Sequence, residues 1–202
     1  MLPPNLQIVK AIDYHLPLGY NAPPMWKKIL GQTLVYLLAA GVIFFDQYTK
    51  HLVRAALALN ESWSPFPWLS PFARILHINN TGAAFGLFKA GGSIFLVVAI
   101  VVSLVILYYA RQLPEGQWWM RLALGLQLGG AVGNLIDRVL FGTVTDFVSV
   151  GTFAIFNVAD ASISVGVVLL AVLMWFESRA GKNQLAESPL SPAESVDVGE
   201  AS

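Results

Sequence analysis

The sequence predicts a mainly α, integral membrane fold: four transmembrane helices with a small extracytoplasmic β-sheet and an interfacial loop. Three observations predict it. Of 202 residues, 56% are hydrophobic and only 12% charged, about half the charged share of an ordinary soluble domain, near 25%. The mean hydropathy is +0.64. Four apolar segments approach the roughly 20 residues needed to cross a bilayer, and four in so short a chain leave too little polar sequence to cover a soluble core. Net charge is zero with no basic block, which gives no handle for nucleic acid. The absence of cysteine removes disulfides, thiolate metal sites and cysteine nucleophiles.

The first span is Ile29–Phe45, with 17 uncharged residues, and the second is Gly92–Ala110, with 19. Trp118–Ile136 contains one charge, Arg121, and Val158–Phe176 one charge, Asp160. Lys27 and Lys28 before the first span, Arg111 and Arg121 around the second connection, and Arg179 and Lys182 after the fourth place both termini in the cytoplasm. Lys50, Arg54, Arg74, Lys89 and Arg138 fall on the other side, so the bias is modest. The chain divides into an N-terminal cytoplasmic extension (1–26), a four-span membrane domain (27–180) and a polar, acidic, proline-bearing tail (181–202) that reads as disordered. The first span, preceded by its extension, reads as an uncleaved anchor.

The segment 51–91 is the interfacial loop. Its WSPFPWLSPF stretch concentrates the aromatic residues of a membrane–water boundary. Within it Arg74–Ile78 alternates polar and apolar, the period of a short strand. Thr143–Phe156, rich in β-branched and aromatic residues around Gly151, predicts a second extended region.

Gly125, Gly129 and Gly133 recur every four residues, a stripe that permits close helix contact and reads as packing alone. Gln127, Asn134 and Arg138 share one helical face, which must point into the bundle because polar groups facing lipid are costly. Asp46 and Lys50, at i and i+4 where the first helix ends, form a favourable ion-pair spacing. Asn157, Asp160 and Ser164 share a face of the last helix. Asn157 as N-cap with Asp160 at N3 would explain both without any chemistry, and a loop aspartate such as Asp146 is ordinarily unremarkable.

Together, however, Asp146 and Asp160 flank a short return and belong to one membrane face. Two close carboxyls share a proton, because ionising both is unfavourable. Such a pair can activate water with one member and polarise a carbonyl with the other, the chemistry of an aspartyl protease. With Asp160 in the first turn of the last helix, the helix dipole favours its ionised form, which would make it the base and Asp146 the acid. A proton-coupled transporter and a non-catalytic scaffold remain as alternatives, although few ionisable groups lie in mid-span. His15, His51 and His77 lack metal-ligand spacing, and no serine sits in a nucleophile elbow.

Five motifs, in order, resemble lipoprotein signal peptidase (signal peptidase II). They are Asp46-Gln47-Tyr48-Thr49-Lys50, Asn80-Thr81-Gly82-Ala83-Ala84-Phe85-Gly86, Gly129 through Arg138, Gly142 through Phe147, and Phe156 through Asp160. The resemblance implies that Asp146 and Asp160 are catalytic, and that Asp46, Lys50, Asn80, Gly82, Asn134, Arg138 and Asn157 support the site or bind substrate. It implies cleavage of diacylglyceryl-prolipoproteins on the N-terminal side of the lipidated cysteine, without metal or organic cofactor. It further implies inhibition by globomycin-type cyclic peptides, contact with membrane lipid, and a monomer in the bacterial inner membrane with its active site near the extracytoplasmic face. The Asp146–Asp160 connection is short and the N-terminal extension long beside the family pattern.

Overall fold

The computed structural model describes residues 25–82 and 91–187. The leading residues 1–24, the loop 83–90 and the end 188–202 lie outside the described residues, and with them most of the expected extension and tail. Among the described residues four helices and three strands follow in order: α1 (Met25–Ala56), β1 (Ser62–Trp63), β2 (Ala73–Asn80), α2 (Gly91–Gln112), α3 (Trp118–Phe141), β3 (Val144–Val150) and α4 (Val158–Glu187).

Apolar runs set the helices, but polar pairs extend them. α1 does not end at Asp46 and Lys50, as the end of its apolar run suggests. It continues to Ala56, because those charges meet partners on α3 instead of water. α4 runs to Glu187, past its apolar stretch. α3 stops where Gly142 adopts φ 74° and returns its N–H to the Arg138 carbonyl at 3.1 Å, a left-handed cap that glycine adopts without steric cost.

Three helical segments are long and apolar enough to cross a membrane: Ile29–Ala56, Ile94–Gln112 and Val158–Arg179. α3 has the length, 24 residues or about 36 Å, but less apolar character. It is the central helix, packed against α1, α2 and α4, so its polar residues face other helices. Toward one end, Val35, Ala39, Ile106, Ala110, Leu124 and Leu128 form an apolar core among α1, α2 and α3. Exposed apolar side chains such as Leu37, Phe44, Leu104 and Val168 cover the outer surfaces.

Small residues bring the helices together. A Cβ on Gly125 would meet Leu38 Cδ2 at 2.9 Å, and one on Gly129 would meet Val42 Cβ at 2.6 Å. The glycine stripe is therefore the α1–α3 contact, as its spacing predicts. On the α4 side, a Cβ on Gly130 would strike the Ala159 carbonyl oxygen.

The sheet has the order β1-β2-β3, both pairings antiparallel. β2 contains the alternating stretch Arg74–Ile78, and β3 takes up the first half of the extended region expected over Thr143–Phe156. β1, where the aromatic stretch begins, lies beyond what periodicity can predict, since two residues carry none. Ile78 pairs with Asp146 and Ile75 with Val148, with an irregularity between them. His77 is buried and its Nδ1 lies 2.9 Å from the Leu57 carbonyl, tying the sheet to the chain leaving α1.

Candidate active site

Polar side chains from α1, β2, α3, β3 and the start of α4 converge at the end of the bundle beside the sheet. Asp146 sits in the middle of β3, 2% exposed, and accepts two hydrogen bonds. Asn80 Nδ2, from the end of β2, donates to Oδ2 at 2.8 Å. Asn157 Nδ2 donates to Oδ1 at 2.7 Å. The Gly82 N–H in turn donates to Asn80 Oδ1 at 2.8 Å, orienting that amide so that its donor faces Asp146.

Asp160 opens α4. Its N–H donates to Asn157 Oδ1 at 2.9 Å, and its own Oδ2 accepts from the Asn157 N–H at 3.3 Å. This is the reciprocal capping arrangement the sequence suggests. It does not exhaust either residue. Asp160 Oδ1 accepts from Asn134 Nδ2 at 2.7 Å, while the Asn157 amide reaches Asn134 Oδ1 at 3.1 Å as well as Asp146. Capping and site construction use different atoms of the same two side chains.

Asn134 is the hub. Its oxygen also accepts from Lys50 Nζ at 2.9 Å. Lys50 is fully buried, with Asp46 Oδ2 at 2.8 Å and Asp137 Oδ2 at 3.3 Å, so its three donors have three acceptors. Asp46 Oδ1 accepts the Ala159 N–H at 2.9 Å, one of the donors left open at the first turn of α4. Gly133 permits this approach, since a Cβ there would lie 2.7 Å from Asp46 Oδ2.

Asp137 lies within the third motif, between Asn134 and Arg138, but its spacing alone does not mark it as a site residue. It is fully buried and accepts the Thr145 N–H at 2.9 Å, next to Asp146. Gln47 Nε2 bridges Asp46, Asp137 and the Gly133 carbonyl at 3.2, 3.0 and 3.0 Å. Arg54 donates to Thr145 Oγ1 at 2.9 Å and lies 3.8 Å from Asp137. The signal for Asp137 was present: a carboxylate near a helix C-terminus opposes the helix dipole and needs a specific partner. Two buried or half-buried cations thus balance Asp46 and Asp137, leaving Asp146 and Asp160 beside Arg138.

Arg138 is half-buried. It donates to the Asn134 carbonyl at 3.2 Å and lies 5.7 Å from the Phe95 ring centre, so it borders the pair without bonding either carboxyl. Ser164 and Gln127 stay outside the cluster. Ser164 returns its hydroxyl to the Asp160 carbonyl, and Gln127 packs at the α4 contact near Gly166.

Burial is the main cause that pushes the Asp146 carboxyl up from 3.8 to about 6, since desolvation penalises the charged form. The bonds from Asn80 and Asn157 and the charge of Lys50 act against this, and the neighbouring Asp160 acts with it. Among the described residues no group of three His, Cys, Asp or Glu is arranged to hold a metal ion. The arrangement offers two carboxyls, joined through two amides, with one raised to titrate near pH 6.

The family model described as Signal peptidase (SPase) II matches residues 38–176. A protein named lipoprotein signal peptidase from Moorella thermoacetica is 41% identical over 134 residues, covering 66% of this chain and 87% of the relative. One of the same name from Bacillus velezensis is 40% identical over 155 residues, covering 75% and 99%. A solved structure titled as a bacterial membrane enzyme, by the in meso method at 2.3 Å, superposes with a TM-score of 0.65 at 31% identity. It covers 71% of this chain and 88% of that one. The three apolar helices and these relatives make the protein an integral membrane protein of the bacterial inner membrane. The chain belongs to the signal peptidase II family and is an aspartic-type peptidase of that family.

Proposed function

We propose that this protein removes the signal peptide from diacylglyceryl-modified prolipoproteins, cutting on the N-terminal side of the lipidated cysteine with Asp146 and Asp160 as the catalytic pair. The observation that carries the reading is the bridging of these carboxyls by Asn157 and Asn134 at one end of a bundle of apolar helices. A signal peptide is itself an apolar helix, and its acyl-bearing end lies at the membrane surface, the depth of such a pair.

Asp160 takes a proton from a water held between the carboxyls, and that water attacks the scissile carbonyl carbon. Asp146, entering protonated, gives its proton to the carbonyl oxygen and leaves a neutral tetrahedral diol. Collapse of the diol breaks the C–N bond. Asp160 returns its proton to the departing cysteine nitrogen, and Asp146 recovers one from the diol. The upward push on Asp146 supports its role as acid, and its burial keeps bulk water from dispersing the charge.

The rest of the assignment follows the same reading. α3 is the fourth span, its polar face covered by its neighbours. The termini are cytoplasmic, the pair lies near the extracytoplasmic face, and the protein acts as a monomer without cofactor. Asn80, Gly82 and Arg138 border the substrate, and a globomycin-type cyclic peptide competes for the same cleft.

The test is cleavage of a purified diacylglyceryl-prolipoprotein in detergent by wild type, Asp146→Asn and Asp160→Asn, with thermal unfolding of each. Cutting before the lipidated cysteine by wild type, with both variants folded and inactive, supports the reading. Full activity in either folded variant overturns the pair. Infrared difference spectra assign the proton: the protonated-carboxyl band should vanish in Asp146→Asn and persist in Asp160→Asn.

A further inference from the structure

The opposite end of the bundle carries a second feature, independent of the peptidase chemistry. α2 closes there with a slot of about 400 Å³ lined by Leu104, Leu107, Tyr108, Arg111 and Gln112. That volume falls within the roughly 300–1,000 Å³ of ligand clefts. The lining changes character along the helix. Leu104 and Leu107 come first, Tyr108 follows one residue on, and Arg111 with Gln112 lies at the helix end. Apolar, then amphipathic, then cationic is the order met by a glycerophospholipid entering from mid-bilayer: acyl chain, glycerol, phosphate.

Two further observations bear on the occupant. Arg111 is exposed, and among the described residues no carboxylate lies within 4 Å of it. Arg111 therefore has no ion-pair partner among the described residues where the slot ends. Tyr108, Tyr109, Trp118 and Trp119 are all exposed around the same end, and exposed Tyr and Trp mark the headgroup level of a membrane protein. An arginine beside such a belt is within reach of lipid phosphates. The end is held rigid from within. Arg121, 2% exposed, donates to the Leu113 and Pro114 carbonyls at 2.9 and 3.1 Å and fixes the turn that follows Arg111.

We propose that this slot binds one anionic glycerophospholipid, its acyl chain along Leu104 and Leu107 and its phosphate on Arg111. An anionic lipid cancels the local positive charge, whereas a zwitterionic one leaves it in place. A cation near a lipid phosphate contributes about fivefold in affinity, which sets the size of the preference.

The full chain in nanodiscs of equal parts phosphatidylglycerol and phosphatidylcholine provides the test, with lipid retained after detergent extraction counted by native mass spectrometry. Wild type should retain phosphatidylglycerol in preference. Arg111→Gln should lose about fivefold of that preference, and Arg111→Lys should restore it. Phosphatidylglycerol with a diazirine on its acyl chain should label peptides covering 104–112 above the other helices. Equal retention of the two lipids, an unaffected Arg111→Gln, or labelling spread evenly over α1, α2 and α4 each overturns the proposal. So does a crosslink that seats residues 1–24 in the slot of the lipid-free chain, because the occupant is then the protein's own N-terminal segment. Cleavage in detergent should be the same in all three proteins.

Discussion

Asn157 holds Asp146 by a 2.7 Å bond from its amide nitrogen while its amide oxygen caps α4. One side chain therefore fixes both the start of a helix and the position of a carboxyl on a strand. The two roles separate by substitution. Asn157→Ser keeps a capping oxygen and loses the donor to Asp146, and Asn157→Ala loses both. Unfolding should place Ala about 1 kcal/mol below Ser in stability. Both should lose activity about 10- to 100-fold, the worth of a bond to a group that becomes charged as it gives up its proton. Full activity in Asn157→Ser would show that the Asp146 contact is dispensable.

Proton linkage at Asp146 has a definite sign. Its folded value is raised from 3.8 to about 6, so the folded protein holds this proton more tightly than the unfolded chain. The stability it contributes is complete below pH 3.8 and is lost as pH rises through about 6, with a full span of roughly 3 kcal/mol. Asp146→Asn has no such loss, so its stability relative to wild type should climb between pH 4 and pH 7. Denaturant unfolding in detergent at several pH values checks this, and a pH-independent difference contradicts it. On the activity side, kcat/KM of wild type should fall as pH rises through the same region, because the proposed mechanism needs Asp146 protonated.

Lys50 presents the reverse case, a buried cation with three partners. Lys50→Met leaves Asp46 and Asp137 with one positive neighbour fewer, at a cost of about 3–5 kcal/mol. Adding Asp46→Asn removes one of the stranded charges and should recover part of that. Thermal unfolding of the single and double variants decides it: a double variant less stable than Lys50→Met would show that the pair is not coupled in this way.

Gly130 and Gly41 make a matched pair. A Cβ on Gly130 strikes backbone at Ala159, next to Asp160, whereas Gly41 has nothing within 4 Å. Gly130→Ala should displace the start of α4, cost about 1–3 kcal/mol and lower activity. Gly41→Ala should keep full activity and gain up to about 1 kcal/mol from helix propensity. A silent Gly130→Ala would mean that the α3–α4 contact is loose enough to absorb a methyl group.

Much of this architecture is legible in the sequence because the bilayer demands it. Apolar runs of fixed length locate α1, α2 and α4, and the period-four glycines mark the α1–α3 contact. The placement of Asn134 and Arg138 on one face of α3 shows which side turns inward. Asp146 and Asp160 fall at the same end of the bundle by connectivity alone. None of this tells which polar atoms meet. Asp46 and Lys50 look like a self-sufficient i, i+4 pair, yet α1 runs past them because α3 supplies Asn134 and Asp137, and α4 supplies the Ala159 N–H. Asp137 looks like an unfavourable charge near a helix end until Lys50, Gln47 and the Thr145 backbone arrive from other elements. The sequence by itself determined where the apolar helices run and which end is polar, since those depend on local hydrophobicity and spacing. The tertiary structure decided the bonding of each carboxylate, because hydrogen bonds act over about 3 Å and that proximity is set by how closely small residues let the helices approach.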